Sequence, residues 1–153
     1  MTEQTDILEK LKRPFHPSQV TWVASDFNFK DQHKALAAPS ASVLAYHNRL
    51  DEVCGMNWSV TYTPWGERIV CHLTINGVTR SASGENGDHD NAEATAFKRT
   101  CAMFGLGRYL LNIPTAWVEY DLSAQQFAEK AKAKLEGIIV MHYRRTMRTE
   151  QEV

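Results

Sequence analysis

The chain has no run near the roughly 18 apolar residues of a membrane span, no cysteines at metal-binding spacing and no marked excess of either charge. The first absence excludes a membrane-spanning helix. The opening residues, Met1 to Lys12, carry Glu3, Asp6 and Glu9 and no apolar core, so no secretory signal is expected. Cys54, Cys71 and Cys101 are odd in number and far apart. They suggest neither a zinc ribbon nor a disulfide framework, and a reducing cytoplasm is the expected setting. Asn57-Trp58-Ser59 matches a glycosylation sequon, which without an export signal carries no weight. The phosphate-loop pattern GxxxxGK[ST] is also missing. Gly105-x-Gly107 does not replace it, because it closes a predicted helix instead of opening one. Neither an ATP site nor any other cofactor is expected. The six histidines are scattered, so no metal site is expected either.

What remains is an ordinary globular composition: 153 residues, 43% hydrophobic and 23% charged. The expectation is one domain over residues 1–153, with a core over about 15–122 and a basic helical tail over about 123–153. A domain of this size buries roughly 68–70% of its unfolded surface. The formal net charge is −1, so a surface that binds a polyanion has to gather its cations locally. Two stretches do so. Phe97 to Tyr109 holds Lys98, Arg99 and Arg108 with no acid, and the stretch from Lys130 to Arg148 holds six Lys or Arg against Glu136 alone.

Local patterns divide the chain into elements. Residues 4–12 read as a short helix stopped ahead of Pro14, since the residue before proline disfavours the helical region. Pro14-Phe15-His16-Pro17 is a rigid bend, and Gln19 to Phe29 reads as a strand. Ser40 or Ser42 caps a helix running to about Cys54, with Val43, Tyr46, Leu50 and Val53 as its apolar stripe and Gly55 as its stop. Trp58, Val60 and Tyr62 then alternate with small hydroxyl residues, and Pro64-Trp65-Gly66-Glu67 is a turn. Ile69, Cys71, Leu73 and Ile75 form the next alternating run, which places His72 on the outward side. Asn76-Gly77 predicts a type I′ hairpin, because both central residues of that turn need positive φ. Val78 to Ser83 is the third strand.

Gly84 to Asp90 is a polar loop, and Asp88 or Asp90 can cap the helix that follows, with Glu93 in its first turn. On that helix Phe97, Cys101 and Phe104 fall within about 60° of one another, while Lys98 and Arg99 lie about 100° and 200° from Phe97. Both charges are therefore expected to point away from the core. Gly105, Gly107 and Pro114 end the helix. Ser123-Ala-Gln-Gln126 reads as a capping box that opens a helix through about Leu135, followed by a frayed basic tail.

The stretch Ala-Phe-Lys-Arg (96–99) followed by Phe-Gly-Leu-Gly-Arg-Tyr-Leu (104–110) resembles the Rad fifty-two superfamily of single-strand annealing proteins, in its bacterial and phage, DdrA-like branch. Arg49-Leu-Asp-Glu-Val-Cys-Gly-Met-Asn-Trp58 looks like that family's second landmark, and together the two span about residues 40–120. The resemblance implies an α+β fold: an antiparallel three-stranded β-meander packed on a long helix, a β-β-β-α core with flanking helices. It also implies assembly as a homo-oligomer, a ring or a helical filament, whose basic groove holds single-stranded DNA in recombination and repair. Lys98 and Arg99 take the positions of the family's phosphate contacts. An arginine that many relatives carry before Arg49 falls here near Leu44 or Ala45, leaving Arg49 or His47 as substitutes. Arg80 is a candidate outer DNA contact by position. The C-terminal region that recruits a recombinase in larger relatives has no counterpart, so annealing without recombinase loading is expected. A single-strand binding protein is a candidate partner.

Plainer readings stand beside these. A neighbouring lysine and arginine on a helix, taken alone, are solvated charges. Arg108 serves equally as a contact to the helix C-terminus, worth about 0.3–1 kcal/mol. Glu85, Asp88, Asp90 and Glu93 permit a second class of function, a metal-dependent nuclease, although capping and solvation explain them more simply. A third is a protein-interaction module without DNA. Of the tryptophans that could stack on bases, Trp22 and Trp58 read as core, and Trp65 as exposed; Trp117 is the fourth.

Overall fold

A computed structural model of the protein describes residues 2–28, 30 and 33–152, with side chains through 149. Phe29, at the end of the first predicted strand, lies outside the described residues. In chain order the elements begin with α1 (Glu3–Leu11), a one-turn 3-10 helix (Pro17–Gln19), β1 (Val20–Phe27), β2 (Lys34–Ala41) and α2 (Val43–Cys54). Next come β3 (Trp58–Trp65), β4 (Arg68–Ile75), β5 (Val78–Gly84), α3 (Ala92–Met103) and α4 (Tyr109–Asn112). The chain ends with β6 (Ala116–Asp121), β7 (Gln126–Phe127) and α5 (Glu129–Glu152). The elements group into two compact units, residues 1–13 with 42–112 and residues 14–41 with 113–153.

The first unit contains the expected β-β-β-α arrangement. Asn76 and Gly77 both have positive φ, 49° and 80°, and the hairpin they form pairs β4 with β5 from Ile75–Val78 to Ile69–Gly84. Cys71, Leu73 and Ile75 are buried on one side of the antiparallel sheet, ordered β3-β4-β5. Against that side α3 lays Phe97, Cys101 and Phe104, all buried as their spacing predicted. Each large apolar side chain so covered contributes about 1.5–3 kcal/mol. Helix α2 starts at the Ser42 cap and stops at Gly55, packing the Tyr46 ring edge-on to Phe97 at 6.3 Å. Strand β3 runs on through Pro64 and Trp65, so the turn is narrower than expected and centres on Gly66. A proline is tolerated there because β3 is an edge strand. The outward residues are tied across strands: Thr63 and Ser81 hydroxyls flank the His72 ring at 2.9 and 2.7 Å.

The second unit holds elements the local patterns did not announce. Its sheet runs β1-β2-β6-β7. Ala24, Ala35, Ala37, Val118 and Phe127 form the buried side, covered by Ala131 and Leu135 of α5. The Trp22 indole is half-buried and donates to the Leu135 carbonyl at 3.0 Å. β6 pairs with β2 only from Lys34 to Ala37, so Pro39 lies past its reach, where one edge of β2 is open. The capping box at Ser123 does not form. Asp121 accepts from the Ser123 and Ala124 amides at 3.0 and 3.1 Å and from the Ser123 hydroxyl, which turns the chain into β7. The helix opens later, at Glu129, and the tail is not frayed: α5 continues unbroken to Glu152. Among the described residues, no helix is long and apolar enough to cross a membrane.

Candidate functional site

The site is built where α3 crosses β5. Gly84 makes the crossing close: a methyl group there would stand 2.3 Å from the Ala96 amide nitrogen. The start of α3 is held by two asparagines, Asn91 accepting from the Ala94 amide and Asn86 from the Ala92 amide, each at 2.8 Å. The expected cap by Asp88 or Asp90 is thus corrected. Asp90 is engaged elsewhere, 2.9 Å from the Lys98 ammonium.

That contact also corrects the expectation for Lys98. Its side chain is only 15% exposed, and its ammonium lies 5.9 Å from the centre of the Tyr46 ring. Lys98 therefore faces α2 and the Asp90 loop instead of open solvent. Arg99 is where the helical spacing placed it, 48% exposed. Its guanidinium donates to both carboxylate oxygens of Glu85 at 2.8 Å and to the Ser83 carbonyl at 3.1 Å. Glu85 is also 3.0 Å from Arg68, whose Nε and second terminal nitrogen donate to the Ser83 hydroxyl.

Two guanidiniums thus converge on one carboxylate. The hydrogen bond from Arg99, then the charges of Arg99 and Arg68, hold the Glu85 carboxyl below the ordinary carboxylate range and push the Arg99 guanidinium up. Because the Glu85 value is lowered, its contribution to stability is present above the ordinary carboxylate range. It is lost as pH falls through the lowered value. A bidentate fork onto paired oxygens is the geometry by which arginine takes either a carboxylate or a phosphate.

The other candidates fall into two places. Arg80 and Arg108 both donate to the Met103 carbonyl at the end of α3, and Arg108 adds a bond to the Ala102 carbonyl at 2.7 Å. Arg80 also lies over the Phe104 ring at 4.9 Å. Their positive ends offset the negative end of the helix, as the plainer reading of Arg108 anticipated. Arg49 is further away in role, closing the end of α1 through the Arg13 carbonyl at 2.6 Å. The structure therefore brings Lys98 and Arg99 together on one helix and sets Arg80 and Arg108 at its end. It gives Arg49 a structural task.

Arg68 escaped the sequence reading. The signal was present: the Asn76-Gly77 register pairs Ile69 with Gly84, so one step further Arg68 stands opposite Glu85. The acids of the nuclease alternative do not assemble, since Glu85 and Asp90 each pair with cations. Among the described residues, no group of three His, Cys, Asp or Glu side chains is placed to hold a metal. Cys54, Cys71 and Cys101 are buried, and burial pushes their thiols up, away from reactivity.

The chain is similar to the single-stranded DNA-binding protein DdrA of Deinococcus radiodurans, with 32% identity over 126 residues, which is 76% of this chain and 60% of that protein. It is similar to the protein of the same name from Deinococcus deserti, with 33% identity over 127 residues, 76% of this chain and 62% of the relative. The similarity thus spans about three fifths of the length of these relatives. No family model matches the chain, and no solved structure matches it.

Proposed function

We propose that this chain binds single-stranded DNA through the face of α3 that carries Lys98 and Arg99. In this reading it anneals complementary strands without ATP, as a non-catalytic oligomer in recombination and repair. It would then be a member of the DdrA-like branch of the Rad fifty-two superfamily. The observation that carries the reading is the Arg99 fork. An exposed guanidinium already grips paired anionic oxygens in the geometry a phosphate needs, with a second guanidinium alongside. The similarity to proteins named for single-stranded DNA binding supports it.

The mechanism is electrostatic. One site of this size is weak, because Arg68, Lys98 and Arg99 are partly offset by Glu85 and Asp90. Copies side by side would align many such sites along one strand, and each phosphate neutralised adds about 0.7 to the salt dependence of affinity. The backbone is then held while the bases stay free to pair. Lys98 joins by exchanging Asp90 for a phosphate, and Arg99 by exchanging Glu85.

The test is binding of a labelled 50-mer at a series of salt concentrations, followed by annealing of complementary 50-mers with no nucleotide present. Steeply salt-dependent binding and nucleotide-free annealing are expected. Absence of binding at low salt would overturn the proposal in favour of a protein-interaction module. Strand cleavage in Mg²⁺ or Mn²⁺ would overturn it in favour of a nuclease. A sharper expectation concerns Glu85→Gln. Glutamine keeps an acceptor for Arg99 but removes the competing charge, so affinity should rise a few-fold and the salt dependence should steepen. Weaker binding by this variant would show that Glu85 organises the site instead of competing for it.

A further inference from the structure

We infer that the strand-binding site extends from Arg99 across the end of the β3-β4-β5 sheet, where Arg68 takes a phosphate and the Trp65 ring takes a nucleobase. The inference rests on the proposed function and deepens it by adding a stacking element to an otherwise electrostatic site.

Three observations carry it. Trp65 is 62% exposed, so its ring face is open to a base. Trp22 and Trp58 are half-buried, with their indole N–H groups bonded to the Leu135 carbonyl and the Asp51 carboxylate, and Trp117 on β6 is 47% exposed. Next, Trp65 is the strand partner of Arg68, so the ring and the guanidinium project from neighbouring strands on the same side of the sheet. Neighbouring strands lie about 4.8 Å apart, a separation that lets one nucleotide reach both groups. Finally, Arg68 is continuous with the α3 site, since it shares Glu85 with Arg99. Trp65, Arg68, Glu85 and Arg99 therefore form one connected row from sheet edge to helix.

Charge along the row fits a polyanion. Outward positions of β3 and β4 beside it are Thr63, Val70 and His72, none of them acidic. Acids near this end include Glu85, already bracketed by two guanidiniums, Glu67 in the connecting turn, and Glu93 of α3, whose charge reaches Tyr62 on β3. A tryptophan face with an adjacent arginine is the combination that binds single strands without reading their sequence: every base offers a π-face, and the cation follows the backbone.

The experiment compares an oligothymidylate 30-mer with a chain of abasic sites of equal length, using the wild type and the variants Trp65→Ala, Trp65→Phe and Arg68→Gln. Melting temperatures check folding in each. The wild type should prefer the thymidylate strand and show quenched tryptophan emission on binding. Trp65→Ala should lower thymidylate affinity roughly five- to hundredfold, abolish the preference over abasic strands and leave the salt dependence unchanged. Trp65→Phe should keep most of the affinity and lose the quench. Arg68→Gln should reduce the salt slope by about 0.7 for each protomer in contact. A Trp65→Ala or Trp65→Phe protein with the full preference and the full quench would overturn the inference. The two levels separate cleanly. If a Lys98→Ala, Arg99→Ala protein loses binding while Trp65 and Arg68 variants keep it, only this extension fails. If that double variant also binds normally, the proposed function itself fails.

Discussion

Replacing Lys98 and Arg99 together with alanine is expected to abolish stable binding of a single-stranded 50-mer while leaving the protein folded. Charge-assisted hydrogen bonds contribute about 1.5–3 kcal/mol each, so with two contacts removed every protomer touching the strand loses roughly a hundred- to ten-thousandfold in local affinity. The salt slope should fall by about 1.4 for each such protomer, two contacts at about 0.7. The fold should tolerate the change because neither side chain belongs to the stripe of Phe97, Cys101 and Phe104 that anchors α3. The single variants rank the two contacts. Arg99→Ala should do more damage than Lys98→Ala, because Arg99 is 48% exposed with a bidentate fork, whereas Lys98 is 15% exposed beside Asp90. Arg99→Lys should fall between wild type and Arg99→Ala, since an ammonium keeps the charge and loses the fork. Equal affinity across the series, measured by fluorescence anisotropy at two salt concentrations, would remove α3 as the contact surface.

Gly84→Ala should be strongly destabilising to the first unit. The added carbon would lie 2.3 Å from the Ala96 amide nitrogen, 2.7 Å from the Ala92 carbonyl oxygen and 2.8 Å from the Ala96 Cα. All three atoms are helix backbone, so no side chain can swing aside and α3 itself has to move. Overpacking typically costs about 1–3 kcal/mol, occasionally more, and a backbone clash belongs at the upper end. With about 2–4 °C lost per kcal/mol in a protein of this length, the melting temperature should drop by roughly 6–12 °C. Ala96→Gly should not rescue it, because the obstructing atoms remain. DNA binding should weaken in the same variant: a helix lifted from β5 carries Arg99 away from the Ser83 carbonyl and from Glu85. Gly55→Ala is the control. A methyl group there meets nothing within 4 Å, so only the strain of its φ of 57° is felt. A loss at Gly84 no larger than at Gly55 would contradict the close crossing.

The pH response of the site follows from the same row. Below the lowered range of the Glu85 carboxyl, protonation removes the charge that competes for Arg68 and Arg99. Acid should therefore mimic Glu85→Gln in tightening DNA binding while removing what Glu85 adds to stability.

Local chemistry determined the first unit almost completely. The Asn76-Gly77 turn set the β4–β5 register, two-residue alternation chose the buried side, and the recurrence of Phe97, Cys101 and Phe104 oriented α3. From those elements alone Arg99 could be placed in solvent and Arg68 opposite Glu85. Tertiary structure decided the rest, for reasons the chain does not display locally. Strand β2 is rich in alanine and interrupted by Pro39, a poor strand by propensity, and it exists because β1 and β6 pair with it on either side. Ser123 is the exception, a contest between two local signals in which the Asp121 carboxylate captured the amides that a helix cap would have used. Lys98 differs from Arg99 only because Tyr46 and Asp90 come to lie beside it, one from α2 and one from the loop before α3. Helical periodicity fixes the direction in which a side chain leaves its helix, but what it meets there depends on residues distant in sequence.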